Sequence, residues 1–181
     1  SKDLCMVDHL PDLVDAGVDS LKIEGRMKTA LYVATVARTY RKALDDLEKG
    51  REVYEQNLPW YEQQITGCTY RRFTTGFFYG KPDENSQIYD SNTYEKDYVY
   101  LGIAGQPDAA GVFDLEQRNK FSVGETIEIM KPDGRNIEVT VEHIQDLEGN
   151  EQESAPHAKQ ALKVKLSSAP EAMDILRRKD F

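Results

Sequence analysis

The stretch from Ser20 to Tyr40, SLKIEGRMKTALYVATVARTY, constrains the fold of this chain most. It reads as a short apolar strand, a Gly-Arg turn and a long amphipathic helix, which together make one β/α unit. A single parallel strand cannot stand alone, because its backbone needs a neighbouring ladder and its faces need helices over them. The rest of the sequence repeats no such unit. The fold class expected is therefore an α/β remnant, the last β/α unit of an eight-fold β/α barrel, followed by a small all-β antiparallel barrel at the C-terminus. A doubly wound sheet would give the same local rhythm. The chain opens on Ser1 rather than Met, in keeping with an expected C-terminal part of a longer enzyme.

Around this unit the periodicity predicts a helix over 8–17, with Asp8 as N-cap, Leu10, Leu13 and Val14 on one face and Gly17 as its stop. Residues 19–24 follow as the strand. A helix over 28–49 places Val33, Val36, Ala37, Tyr40 and Leu44 on its apolar side and Arg38, Arg41, Lys42, Asp45 and Asp46 on its polar side, with Gly50 ending it. Residues 51–66 predict a second helical stretch broken near Pro59. From 67 to 97 the chain turns rich in Gly, Thr, Asn, Asp and aromatic residues, an irregular connector whose rings at Phe73, Phe77, Phe78 and Tyr79 need something to pack on. From Tyr98 the period becomes two, with strands over 98–104, 110–117, 125–131, 137–144 and 161–166 separated by turn signals such as PDG and DLEGN. These predict a closed barrel that removes exposed edges, capped by a short helix over 170–177. The domains are 1–50, the end of the β/α barrel; 51–97, the connector; and 98–181, the small barrel.

Charge is uneven along the chain. Its 23 basic and 32 acidic residues give −9, and residues 98–181 alone carry 10 basic and 15 acidic groups. Such a module lacks the clustered cations of a general nucleic-acid binder, although a local cationic patch would still serve. No apolar run approaches the ~20 residues that cross a bilayer, so no membrane partner is expected. Two cysteines, Cys5 and Cys68, are too few for a disulfide framework, and the expected setting is cytoplasmic, with secretion of the longer protein left open.

Several residues could carry chemistry. Glu24 and Arg26 stand where a strand ends and its loop begins, the rim on which β/α barrels build active sites. They could bind an anion, position a substrate or act in proton transfer; a structural ion pair is the other reading. Cys5, in SKDLCM, is either a nucleophile or metal ligand or a small buried hydrophobe. Cys68 reads as a packed thiol. His9, His143 and His157 do not cluster, and His143 alternates with Val139 and Val141, so it is expected on their face. The run Tyr70-Arg71-Arg72-Phe73 mixes cations with rings, either to hold single-stranded nucleic acid or to pack between domains. No phosphate-binding glycine loop, HExxH or GxSxG is present.

Taken together, SKDLCM, the block DSLKIEGRMKTALYVATVARTYRKALD, RRFTTGFFYG, NKFSVGETIEIMKPDG and the closing MDILRR resemble the C-terminal part of the collagenase-like peptidases of unassigned catalytic type, peptidase family U, number thirty-two. The resemblance covers nearly the whole chain, and LKIEGRMK is its most specific block. It implies a C-terminal fragment of a collagenase-like peptidase whose small barrel is a lid or substrate-recruiting module. Related members act in RNA modification, as prephenate-dependent proteins that make 5-hydroxyuridine at the tRNA wobble position or hydroxylate a ribosomal RNA cytidine. A third reading is a non-catalytic binding module, the fragment alone being inactive. The resemblance implies an iron–sulfur cluster in the longer protein, with Cys5 as one ligand and the others upstream, and no cofactor held by this fragment alone. It implies a supporting substrate-site role for Glu24 and Arg26, and substrate contact at Arg71, Arg72 and Phe73 remains the expectation from the residues. The partners expected are the missing N-terminal barrel, a protein, peptide or tRNA substrate, and a second copy through the exposed β/α unit.

Overall fold

Thr29 sets the start of the longest helix. Its backbone is extended (φ −74°, ψ 163°) and its hydroxyl oxygen accepts a hydrogen bond from the Tyr32 amide at 3.3 Å, which satisfies one of the open donors of the first turn. The computed structural model describes residues 2–68, 72–81 and 97–180, which divide into two units, 1–97 and 98–181. Helix α2, Ala30–Lys49, runs from this cap to Gly50, whose φ of 140° takes the chain out of the helix. Thr29→Ala is expected to cost about 1 kcal/mol in urea denaturation, and Thr29→Ser, which keeps the capping oxygen, should lose only a small part of that.

The buried side of α2 is rotated from the expected one. Leu31, Thr35, Val36, Arg38, Thr39, Ala43 and Asp46 are buried, while Val33 is 46% exposed and Ala37 also faces out. Two charges assigned to the polar side are inside because the next helices supply partners. Those helices are α3, Arg51–Gln56, and α4, Leu58–Thr66, and they break at Asn57. Arg38 donates to Gln64 and lies over the Trp60 ring. Asp46 accepts from Lys42, Lys49, Asn57 and Tyr61. Earlier in the chain a 3-10 turn, Val7–His9, leads into α1, Leu10–Asp15. Asp8 caps neither, for no side chain does so at either start. Met6, Val7, Leu10, Leu13, Ala43, Tyr54, Tyr61 and Ile65 form the core of this unit, and the Tyr54 hydroxyl donates to the Val7 carbonyl at 2.6 Å.

The strand expected over 19–24 does not form. Instead β1, Asp3–Leu4, pairs in parallel with β2, Phe73–Thr74, through Asp3 N–H to Arg72 O and Cys5 N–H to Thr74 O, both 3.0 Å. Among the described residues, none of 19–24 shares a backbone hydrogen bond with another. An extended segment becomes a strand only when a neighbour accepts its ladder, and here none does. The described residues of the N-terminal unit are thus helices around a two-stranded parallel sheet, not a β/α barrel remnant.

The second unit is a six-stranded antiparallel sheet. Its strands are β3 (Tyr98–Ile103), β4 (Val112–Glu116), β5 (Thr126–Met130), β6 (Asn136–Gln145), β7 (Ala161–Leu166) and β8 (Ile175–Lys179), in the order β3-β8-β5-β6-β7-β4. This sheet does not close into the expected barrel. Its edges, β3 and β4, meet only beside their ends, at the isolated bridge Ala104–Leu115 and through Arg118 N–H to Leu101 O. Gly102 permits that approach: a Cβ there would lie 2.5 Å from Leu115 Cδ1 and 2.9 Å from the Glu116 carbonyl oxygen. Inward residues including Leu101, Phe113, Phe121, Ile127, Val141, Leu162 and Leu176 fill the core. The helix expected over 170–177 is also absent. Residues 175–179 are β8, hydrogen-bonded to β3 on one side and β5 on the other, so two ladders override the helical preference of PEAMDIL. His143 leaves the face of Val139 and Val141, because a register shift between Val141 and His143 inserts one residue and turns its ring to solvent. No helix among the described residues is long and apolar enough to cross a membrane.

Candidate functional site

The N-terminal unit holds a cleft of about 540 Å³ between β1, the 18–24 segment and one side of α2. Helical spacing builds one wall. Lys28 stands just before α2, and Tyr32, Val36 and Tyr40 follow at steps of four, so they stack along one side of the helix and line the cleft. Lys28 Nζ lies 5.0 Å from the centre of the Tyr32 ring, a cation over an aromatic face. The apolar stripe read from the sequence held two of its rungs, Val36 and Tyr40, and left out Lys28 and Tyr32, which the i, i+4 spacing could have added.

Cys5 stands on the opposite wall. Its backbone is fixed by the bond to Thr74, and its Sγ lies 3.8 Å from the Tyr40 hydroxyl, which accepts a hydrogen bond from the Met6 amide at 3.0 Å. Burial pushes the Cys5 thiol up, against a smaller downward pull from the Val7 backbone and Tyr40. Burial, with the Cys5 sulfur next, also pushes the Tyr40 phenol well above its ordinary value. Both groups are protonated at neutral pH, and a protonated thiol is a poor nucleophile. Cys68 lines the same cleft, buried, with its sulfur donating to the Ile65 carbonyl at 3.1 Å.

The remaining sequence candidates divide. Glu24 is exposed and lines the cleft, and its Oε1 accepts from the Arg26 amide at 3.0 Å. Among the described residues no ion pair joins Glu24 to the Arg26 guanidinium, and Arg26 lies outside the cleft lining. Gly25 between them packs on α2, where a Cβ would sit 3.2 Å from Val33 Cγ2. Phe73, half-buried on β2, packs against the core and lines the cleft, while Arg72 is exposed. Arg71 lies outside the described residues. The structure therefore brings Cys5, Glu24 and Phe73 to one cleft and leaves Arg26 and Arg72 off it.

No group of three or more His, Cys, Asp or Glu among the described residues is placed to hold a metal ion. Tested against an iron–sulfur cluster, the cleft presents the Cys5 sulfur on its wall, which suits one ligand, but not a ligand set. No step can be derived through such a group here.

Two models of one family match in succession, that of peptidase family U32 over residues 1–88 and that of the peptidase family U32 C-terminal domain over residues 96–177. The chain belongs to peptidase family U32. This U32 chain is similar to tRNA hydroxylation protein P1 of Bacillus subtilis, 34% identical over 98% of the chain and 42% of that protein. It is also similar to a collagenase of Porphyromonas gingivalis, 34% identical over 79% of the chain and 35% of that protein. Among solved structures it resembles the C-terminal domain of a Geobacillus thermoleovorans protein assigned to the U32 peptidases, at 29% identity and a TM-score of 0.40, over 45% of this chain and 92% of that one. The U32 chain thus spans less than half the length of the curated relatives it matches. Its relatives include both collagenases and tRNA hydroxylation proteins.

Proposed function

We propose that this chain is the C-terminal region of a U32 protein that hydroxylates tRNA at the wobble uridine, and that its N-terminal cleft forms part of the site. The observation that carries this reading is the extent of the match to the Bacillus subtilis tRNA hydroxylation protein, which takes in 98% of the chain. A peptidase is the second reading, favoured by the collagenase match over 79% of the chain. The chemistry of Cys5 weighs against it. A cysteine peptidase needs a thiol whose pKa is pulled down, whereas burial raises this one.

In the hydroxylation reading, Cys5 is one ligand of an iron–sulfur cluster whose other ligands come from outside the described residues. Glu24 positions substrate at the cleft mouth, and Phe73 offers a ring for a base to stack on. Arg26 and Arg72 contact phosphate from outside the cleft. Deleting the gene and measuring modified nucleosides in bulk tRNA by mass spectrometry tests the proposal. Loss of 5-hydroxyuridine and its derivatives is expected, restored by the wild-type gene and not by Cys5→Ala. Unchanged modification in a strain without a second U32 gene would refute it, and loss of gelatin hydrolysis instead would favour the peptidase.

A further inference from the structure

Three consecutive aromatic residues stand largely in solvent. Of the rings that follow residue 72, Phe73 packs against the core of the N-terminal unit, but Phe77 is 78% exposed, Phe78 55% and Tyr79 57%. A run of rings left in water is unfavourable and marks a surface that something else covers. The loop that carries them is firmly held. It leaves β2 through Gly76, whose φ of 60° turns the chain and whose amide donates to the Thr74 hydroxyl at 3.1 Å. Two turns follow, closed by Phe78 N–H to Thr75 O and Gly80 N–H to Phe77 O, both 3.3 Å. The Tyr79 hydroxyl donates to the Asp12 carboxylate, and its ring centre lies 4.9 Å from that of His9. Tyr79 thus ties the loop to α1, Phe78 lines the cleft that holds Cys5, and Phe77 is left uncovered.

The charges beside the rings favour one occupant. From Arg72 to Lys81 the sequence has two cations, four aromatic rings and no acid, in a chain whose net charge is −9. Arg72 and Lys81 are both exposed. A polypeptide cover would need carboxylates for these cations, whereas a single-stranded nucleic acid brings a base for each ring and a phosphate for each cation. The fixed shape of the loop lowers the ordering cost of such a contact. We propose that the 76–81 loop is an RNA-binding surface at the cleft, where Phe77 and Phe78 stack on unpaired bases of the tRNA substrate and Lys81 meets their phosphates. This inference rests on the tRNA hydroxylation reading and adds to it the element that holds the unpaired bases.

Binding by the natural gene product, purified through an affinity tag placed in the genomic copy, tests it. The probe is an anticodon stem–loop that carries an unmodified wobble uridine. Phe77→Leu keeps apolar bulk and removes the ring face, and Phe77→Trp keeps the face. Phe77→Leu is expected to weaken binding about tenfold, and Phe77→Trp to stay within about twofold of wild type. No loss for Phe77→Leu, or equal loss for the two, would overturn the proposal, as would a wild-type protein that does not bind the stem–loop. Lys81→Gln should reduce the slope of log affinity against log salt by about 0.7, and an unchanged slope would overturn the phosphate contact. Both Phe77 variants should melt with the wild type. A melting temperature lowered by Phe77→Leu would show that another part of the polypeptide covers the ring, and would overturn the RNA surface.

Failure of this inference and failure of the tRNA reading are distinguishable. If deleting the gene leaves wobble-uridine modification unchanged, the tRNA reading falls and the inference with it. If deletion abolishes the modification, while the Phe77→Leu gene restores it in full and its product binds the stem–loop like wild type, only the inference falls.

Discussion

Replacing Arg177 by alanine is expected to lower the unfolding free energy by about 3–5 kcal/mol, the cost of stranding one charge of a buried pair. Arg177 is 1% exposed. Its Nε donates to Glu128 Oε2 at 2.9 Å and its Nη2 lies 2.8 Å from the same oxygen. Its guanidinium sits 3.8 Å from the centre of the Tyr98 ring, and the Tyr98 hydroxyl donates to Glu128 Oε1 at 3.3 Å. The three residues stand on β3, β8 and β5, so the cluster ties three adjacent strands. With arginine gone, the half-buried Glu128 carboxylate loses its cation. Arg177→Met combined with Glu128→Leu removes both charges and should recover much of the loss. Urea denaturation followed by circular dichroism of the β-sheet signal would measure both. A loss below 1 kcal/mol for Arg177→Ala would mean that the pair is solvated and contributes little.

Asp46→Ala is expected to cost about 3 kcal/mol in the N-terminal unit. The carboxylate is 2% exposed and accepts from Lys42 Nζ at 2.7 Å, Tyr61 Oη at 2.8 Å, Lys49 Nζ at 3.0 Å and Asn57 Nδ2 at 3.1 Å. The lysines can swing to water when it is removed, but the buried Tyr61 hydroxyl cannot. The carboxylate also carries a pH signature. Burial pushes its pKa up, yet the bonds from Lys42, Tyr61 and Lys49 outweigh burial and hold it below the ordinary value. A carboxyl depressed in the folded state stabilises fully above its unfolded pKa of about 3.9 and loses that contribution as pH falls through the folded value. The stability gap between wild type and Asp46→Ala should therefore be flat from about pH 5 to 8 and narrow below about pH 4. A gap that widened in acid would contradict this assignment.

These two residues also mark where sequence reasoning stopped. Strands β3 to β7 were legible within about two residues because alternation is a local signal that burial on one face enforces. Helix α2 was legible for the same reason at a period of 3.6. Its buried face was not, since Arg38 and Asp46 count as solvent-facing until Gln64, Trp60, Asn57 and Tyr61 arrive from other helices. Strand β8 was misread because ILRRK looks polar, and only Glu128 and Tyr98, on the face opposite the Leu176 core, make Arg177 a buried residue. The 19–24 segment failed in the opposite direction, its alternation being real but without a ladder to join among the described residues. In the cleft, Cys5, Glu24 and Phe73 were legible as chemistry-bearing residues, whereas their meeting depends on β1 finding β2 some seventy residues later.

The position of β8 has a consequence for how the C-terminal unit is made. The last strand in sequence lies inside the sheet, between β3 and β5, the first and third strands to be synthesised. Until residues 175–179 have left the ribosome, β3 has no ladder to join and the hairpin of β5 and β6 carries an open inner edge. A partly made or prematurely terminated chain therefore exposes two sticky edges at once, and the unit is one that a cell must either complete in a single step or shield with a chaperone.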